Sequence, residues 1–305
     1  MSDLRVHKTK YINETKRVSF KYDGKNYFGY EGDTLASALL ANGVHLIGRS
    51  FKYHRPRGIM SCGSEEPNAI CQISDKNDLT EPNVRATELE IYDGLEAFSQ
   101  NCWPNVKFDI GGINNLISPL IPAGFYYKTF MWPKSFWKKV YEPLIRMSAG
   151  LGKSPTEPDP DIYDHKYVHY DLLVIGGGLS GIISAKIAAK SNLKTLLVDD
   201  KKTLGGSTIY QSNDSFKIDD QHSSKWLEKE INEISEIENL TVKTRTSIAA
   251  YYGYNYLLAR ENLTDHLSIK DKKDKIRQRL WKIRAKKVIV ATGSIERPLV
   301  FNNND

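Results

Sequence analysis

Cysteine is scarce. The 305 residues hold three, Cys62, Cys71 and Cys102, with no Cys-x-x-Cys spacing. An odd, unpaired set supplies neither a disulfide framework nor a zinc site and suits a reducing compartment. Long apolar runs are missing too. The longest, Leu172 to Ala185, is interrupted by three consecutive glycines and falls short of the roughly 18–20 residues a membrane-spanning helix needs. Met1 to Lys10 is polar and lacks an apolar stretch before a small-residue cleavage site, so the expected location is cytoplasmic. Charge of one sign does not dominate: 43 Lys+Arg against 37 Asp+Glu leaves +6. That excess is spread along the chain, which gives little support to nucleic-acid binding.

What is present suits a globular chain of about two domains. Val18, Phe20 and Tyr22 alternate, Asp23-Gly24 marks a tight turn, and Tyr27, Phe28 and Tyr30 follow, the pattern of a β-hairpin. Asp33 stands where an N-cap is expected, Leu35, Ala36, Leu39 and Leu40 form a helical apolar face, and Asn42-Gly43 supplies a left-handed stop. Strand, turn, strand, helix opens a β-grasp unit, continued by strand candidates at 69–73 and 88–92. The expected division is a β-grasp ferredoxin-like domain over 1–112, an aromatic and proline-rich connector over 113–168, and a dinucleotide-binding domain over 169–305.

Between Phe125 and Trp137 lie seven large rings, Phe125, Tyr126, Tyr127, Phe130, Trp132, Phe136 and Trp137. They need covering, either by the flanking domains or by another subunit. Ser154 to His165, with three prolines and four acids, reads as the linker. His54 to Arg57, HRPR, mixes bases with Phe51 and Tyr53; it reads as a structural basic loop meeting the second domain or a partner, ahead of an anion site.

After the linker, Tyr170 to Ile175 is an apolar run suited to a buried parallel strand, and it leads into Gly176-Gly177-Gly178-Leu179-Ser180-Gly181 and a helical stretch to about Ser191. This is GxGxxG in its required context. Gly176 permits the strand-to-helix turn, Gly178 lets a pyrophosphate approach backbone, and Gly181 lets the helix pack against the strand. The helix N-terminus offers N–H groups and partial positive charge to phosphates. A second strand, Thr195 to Val198, ends at Asp199, placed to accept from adenosine ribose hydroxyls. A carboxylate there favours NAD or FAD over NADP, although Lys201 and Lys202 stand close by. Leu204-Gly205-Gly206-Ser207 can bring backbone and the Ser207 hydroxyl to the same ligand. Lys287 to Gly293, KVIVATG, reads as another buried strand closing at Thr292 and Gly293, after strand candidates at 246–251, 254–260 and 280–284. The charged stretch 270–279 reads as a solvated hairpin tip. No His pair, HExxH, nucleophile elbow or carboxylate dyad stands out, so the catalytic residues are unknown and the chemical step is assigned to another chain.

The ATG turn, GxGxxG and the downstream Gly-Gly resemble the dinucleotide domain of the flavin-dependent pyridine-nucleotide disulfide oxidoreductases. More closely, residues 49–68 (RSFKYHRPRGIMSCGSEEPN), 103–133 and 288–298 (VIVATGSIERP) are similar to the α subunits of heterotetrameric sarcosine oxidases, a likeness covering nearly the whole chain. The resemblance implies a bacterial complex with β, γ and δ subunits that oxidises sarcosine to glycine, reduces O2 to hydrogen peroxide and forms 5,10-methylenetetrahydrofolate. It implies NAD in this chain, with FAD and FMN mainly on the β subunit and tetrahydrofolate on a C-terminal domain. It makes Ser180 a phosphate-side contact and places Asp199, Asp200 and Lys201 around the ribose. It also sets Gly206 and Ser207 beside the pyrophosphate and the Ile248 backbone against adenine. Ile248 by itself reads as an ordinary strand residue. Two other readings stay open: a subunit of a related opine or proline dehydrogenase complex, and a non-catalytic assembly scaffold. The family's α subunits are about three times longer, so a fragment with an incomplete doubly wound Rossmann-type domain is expected. No iron–sulfur cluster is expected, because plant-type clusters need four thiolates beginning Cys-x4-Cys-x2-Cys.

Overall fold

The computed structural model describes residues 4–6, 9, 11–74, 80–116, 118, 130, 132–148, 150–210, 216–295 and 299, with the side chains of 147 and 148 excepted. The chain divides into two compact units: residues 1–160 with 266–271 and 297–305, and residues 161–265 with 272–296.

In the first unit, β1 (Asn13–Tyr22) and β2 (Lys25–Glu31) form the expected hairpin. Asp23 and Gly24 both take positive φ at the turn, the backbone a two-residue hairpin loop demands. Alternation buries Val18, Phe20 and Tyr22 beneath helix α1 (Leu35–Ala41). The strands β3 (Gly48–Arg49) and β4 (Pro56–Arg57) pair as a small ribbon. With β5 (Ile70–Ser74), β6 (Thr80–Arg85) and β7 (Leu95–Ser99), the main sheet has the order β2-β1-β7-β5-β6. β1 and β7 run parallel. This is a ferredoxin-like sheet with α1 packed on its apolar face.

Two local readings are corrected. The N-cap of α1 is Thr34, whose hydroxyl accepts from Ser37 N at 3.2 Å while Ser37 Oγ accepts from Thr34 N at 3.0 Å. Asp33 turns inward instead, fully buried, and accepts from Tyr30 N at 2.9 Å, Ser37 Oγ at 2.8 Å and the Arg5 guanidinium. Residues 88–92 are no strand. Leu35 N donates to Leu89 O at 2.7 Å and Ile91 N to Asp33 O at 3.0 Å, so the alternating Leu89 and Ile91 plug the core beside α1 while β7 fills the sheet. In the HRPR loop, His54 Nδ1 lies 2.6 Å from Asp109 Oδ2, and on β3 Arg49 Nε donates to Val106 O at 2.8 Å, contacts that suit the structural role read for this loop. Of the aromatic segment, Phe125, Tyr126 and Tyr127 lie outside the described residues; Trp132 is 82% exposed, while the Phe130 and Tyr141 rings meet at 5.0 Å.

The second unit begins with β8 (Ile162–Ile175), inside the stretch read as linker. The predicted strand is its buried end, with Leu173 and Val174 fully covered. Its polar first half escapes a search for apolar runs because it is held by charge: Asp161 faces Arg277 at 2.8 Å, and Asp164 makes a two-pronged pair with Arg279 at 2.7 and 2.9 Å.

Helix α2 (Leu179–Lys190), β9 (Thr195–Val198), the ribbon of β10 (Lys217–Ile218) and β11 (Gln221–His222), and helix α3 (Ser223–Ser235) follow. Then come β12 (Leu240–Lys243), β13 (Thr246–Tyr252), β14 (Tyr256–Asn262) and β15 (Ile276–Val290). The two late strand candidates, 280–284 and the start of KVIVATG, are one 15-residue strand, β15. The sheet order is β12-β9-β8-β15-β14-β13. β8, β9, β12 and β15 run parallel, whereas β13 and β14 are antiparallel. α2 and α3 cover one face through Ile182, Ala185, Trp226 and Leu227. The other is covered by the β13–β14–β15 meander, whose Leu257, Ala259 and Ile283 join Leu173, Leu196 and Val198 in a second core. The carboxyl ends of β8, β9 and β15 therefore share one edge, the edge where open α/β sheets take ligands.

Candidate functional site

Three bends converge at that edge. Gly176, at φ +103°, leaves β8 in a conformation side chains disfavour. A Cβ there would lie 2.4 Å from Ala291 O and 3.2 Å from Thr292 Cα, so the ATG turn after β15 is pressed against the glycine bend. Gly181 is more constrained, because its Cβ would stand 1.8 Å from Gly176 O. Only glycine lets α2 close on β8 there. Gly178 differs: its backbone is extended and the nearest atom to an added Cβ is Gly206 Cα at 3.9 Å. Gly178 caps α2 with no side-chain hydrogen bond, so the helix start is not closed by a capping side chain of its own.

The second glycine pair comes to the same place. Gly205 N donates to Gly177 O at 2.7 Å. Gly206 takes φ +52°, and a Cβ on it would approach Gly178 Cα to 3.0 Å. Two side-chain-free segments thus face each other, a shape open to a ligand that bonds to backbone. Gly177 and Ala291 also build this junction, a role that only their neighbours across the sheet reveal.

Asp199 is 8% exposed at the end of β9. Its Oδ2 accepts from Gly177 N at 2.5 Å and its Oδ1 from Lys201 N at 2.8 Å. Burial pushes the carboxyl above its ordinary range, and the two backbone N–H groups pull the other way without cancelling that push. A carboxylate has about four acceptor positions, so these bonds leave capacity for sugar hydroxyls. Asp199 O accepts from Thr246 N at 2.8 Å, tying β9 to the start of β13.

Asp200, Ser180, Ser207, Thr292 and Gly293 are exposed around this edge, with Gly293 at φ +70°. Lys201 Nζ donates to Tyr210 OH at 2.7 Å and stands 4.8 Å above its ring, a pairing with no signal in the sequence. Ile248 lies on β13 and packs against the meander core.

Comparison with known proteins agrees with both units. Residues 15–102 match the family described as 2Fe-2S iron-sulfur cluster binding domain, and 171–251 that described as FAD dependent oxidoreductase. Over all 305 residues the chain is 46% identical to sarcosine oxidase subunit alpha of Rhizobium meliloti (strain 1021). The chain is a homologue of the sarcosine oxidase α subunits. It spans 30% of that relative's length, and 26% of the subunit alpha of Corynebacterium sp. (strain U-96), to which it is 32% identical over 296 residues. In fold, L-proline dehydrogenase from P. horikoshii matches 100% of this chain and 45% of its own, with a TM-score of 0.60 at 21% identity. Among the described residues no helix is long and apolar enough to cross a membrane.

The donor set fits one of the implied cofactors and not the other. The glycine junction and Asp199 suit a dinucleotide. A plant-type [2Fe–2S] cluster asks for four thiolates, and the sequence holds three cysteines, set in three different surroundings. Cys71 is fully buried beside Tyr22, and burial pushes its thiol up to about 12. Cys62 is exposed, and Cys102 Sγ sits 3.4 Å from Ser99 Oγ.

Proposed function

We propose that this chain is the dinucleotide-holding part of an α subunit of heterotetrameric sarcosine oxidase, with NAD as its ligand. The observation that carries the reading is the side-chain-free junction of Gly176, Gly178, Gly181 and Gly206 at the uncapped start of α2, in a chain 46% identical to such a subunit throughout its length. Leu179 to Gly181 would present backbone N–H groups to the pyrophosphate, Ser180 a hydroxyl to a phosphate, and Gly206 and Ser207 the opposite wall. Asp199 would hold the adenosine ribose while fixing Gly177, and Asp200 and Lys201 would flank the sugar. The Ile248 backbone would border adenine, and Thr292 and Gly293 would close the crevice from β15. NAD, when bound, supplies hydride exchange at its nicotinamide. The residues described here bind and orient; no acid or base among them is placed for a chemical step.

The complete assembly, with β, γ and δ subunits, would oxidise sarcosine to glycine, reduce O2 to hydrogen peroxide and pass the one-carbon unit to tetrahydrofolate. FAD and FMN would reside mainly with the β subunit, and the folate on a further α-subunit domain. A second reading, FAD in the same crevice, is favoured by the match of residues 171–251 to FAD dependent oxidoreductases.

The test is to denature the purified complex and identify the released nucleotide of the α chain by mass. NAD is expected, and FAD alone selects the second reading. Asp199→Ala should lower nucleotide retention about tenfold or more, and unchanged retention overturns the assignment of the crevice. Sarcosine-dependent peroxide formation by the complex separates the enzyme from a related amino-acid dehydrogenase or a scaffold.

A further inference from the structure

Outside the dinucleotide crevice, one buried ionisable group has surroundings that no packing argument requires. Glu66 lies in the loop between β4 and β5, which also carries Cys62, and is 1% exposed. Four backbone N–H groups converge on its carboxylate. Met60 N at 2.8 Å and Ser61 N at 2.7 Å donate to Oε2, and Asn68 N at 2.8 Å and Ala69 N at 3.0 Å donate to Oε1. Ser61 Oγ stands 3.3 Å from Oε2. The backbone on either side is pinned as well: Glu66 N donates to Gly63 O at 3.2 Å, Arg85 Nε to Glu66 O at 3.3 Å, and Thr87 Oγ1 to Gly63 O at 2.7 Å.

Converging backbone N–H groups form an anion-binding concavity, the arrangement proteins use for phosphates and iron–sulfur clusters. Hydrogen bonds from protein to cluster sulfur are part of how such a centre is held and tuned. Residues 15–102 match a 2Fe-2S binding family, and this loop lies within that span. The thiolates for a cluster are lacking, yet the concavity is built and filled.

We infer that Glu66 takes the place of a metal–sulfur cluster in this unit: an internal carboxylate supplies the negative charge around which the loop of residues 60–69 folds, so the ferredoxin-like unit stands without metal. Burial alone would raise the Glu66 carboxyl, but the backbone hydrogen bonds outweigh it and hold the group below its ordinary range. The anion is therefore present throughout the neutral range. The loop is satisfied from within, which makes this unit a supporting module and not an electron-transfer centre.

Two measurements on the full chain test this. Wild-type protein is incubated anaerobically with ferrous iron, sulfide and thiol, desalted, and assayed for bound iron, acid-labile sulfide and visible absorption. No stoichiometric iron or sulfide is expected; near-stoichiometric incorporation of both with cluster absorption overturns the inference. In parallel, amide hydrogen exchange is followed at Met60, Ser61, Asn68 and Ala69. Glu66→Gln keeps the shape but turns an NH2 group toward one pair of donors, so that pair should exchange about tenfold faster or more while amides of β1 and β7 hold their rates. Unchanged exchange in a folded Glu66→Gln chain overturns the inference. If that variant does not fold, wild-type exchange decides: protection of the four amides supports the inference, and exchange as fast as in the exposed loop at Cys62 refutes it.

Discussion

Each unit gathers backbone N–H groups toward one point, and the two finish the task differently. In the first unit the point is occupied by the chain's own Glu66 carboxylate, reached by donors from both sides of a loop and sealed from solvent. In the second, the start of α2 carries no side-chain cap, and its neighbours Gly178 and Gly206 have no side chains. The same electrostatics act in both places, since peptide N–H dipoles attract negative charge. What differs is whether sequence supplies the charge. A loop that supplies its own anion gains local order and gives up a ligand site. A helix start capped by glycine forgoes only a few tenths of a kcal/mol relative to a Ser, Thr or Asp cap and keeps the capacity to bind.

The largest effect that would blur this contrast is expected at Gly181. Gly181→Ala places a Cβ 1.8 Å from Gly176 O, forcing α2 away from β8; thermal and denaturant unfolding of the second unit should show destabilisation upward of about 3 kcal/mol. Next comes acidity, where the two buried carboxylates should act with opposite sign. Glu66 is held below its ordinary range, so its contribution is complete above the unfolded value near about pH 4.3 and is lost as pH falls through the folded value. Asp199 is raised, so the folded chain keeps that proton longer and stability declines as pH rises from about 3.9 through the raised value. Urea unfolding across pH should show Glu66→Gln flattening the acid limb, with Asp199→Asn removing the opposing slope. The smallest stability effect is expected at Gly178. A Cβ there meets its nearest atom at 3.9 Å, so Gly178→Ala should unfold within about 0.5 kcal/mol of wild type. Nucleotide retention should still fall about tenfold, because the methyl group blocks the approach to backbone. Equal losses of stability at Gly178 and Gly181 would remove the distinction between a packing glycine and a ligand-facing one.

The glycine bend was legible in the sequence because each position answers to a local rule: a positive φ at Gly176, a helix–strand contact at Gly181, an acid at the next strand's end. The β1–β2 hairpin was legible for the same reason, its alternation and turn lying within one short span. The first half of β8 was not, since Asp161 and Asp164 look like linker until Arg277 and Arg279, more than a hundred positions away, are brought opposite them. Residues 88–92 misled because apolar alternation marks burial on one side, and burial can be earned by a loop against α1 as well as by a ladder. Thr34 and Asp33 exchanged roles because either side chain can cap a helix, and only the position of Arg5 and Tyr30 turns one of them inward.

By itself, then, the amino-acid sequence determined where the chain must bend without side chains, where it alternates, and that its thiols are too few for a four-thiolate centre. Tertiary structure alone decided which glycines leave no room for a Cβ and which have space for one, that the ATG turn rests on Gly176, and that Glu66 gathers four amides while Asp199 gathers two. The first set depends on steric limits within a few residues; the second depends on distances between segments far apart in the chain, which no local preference specifies.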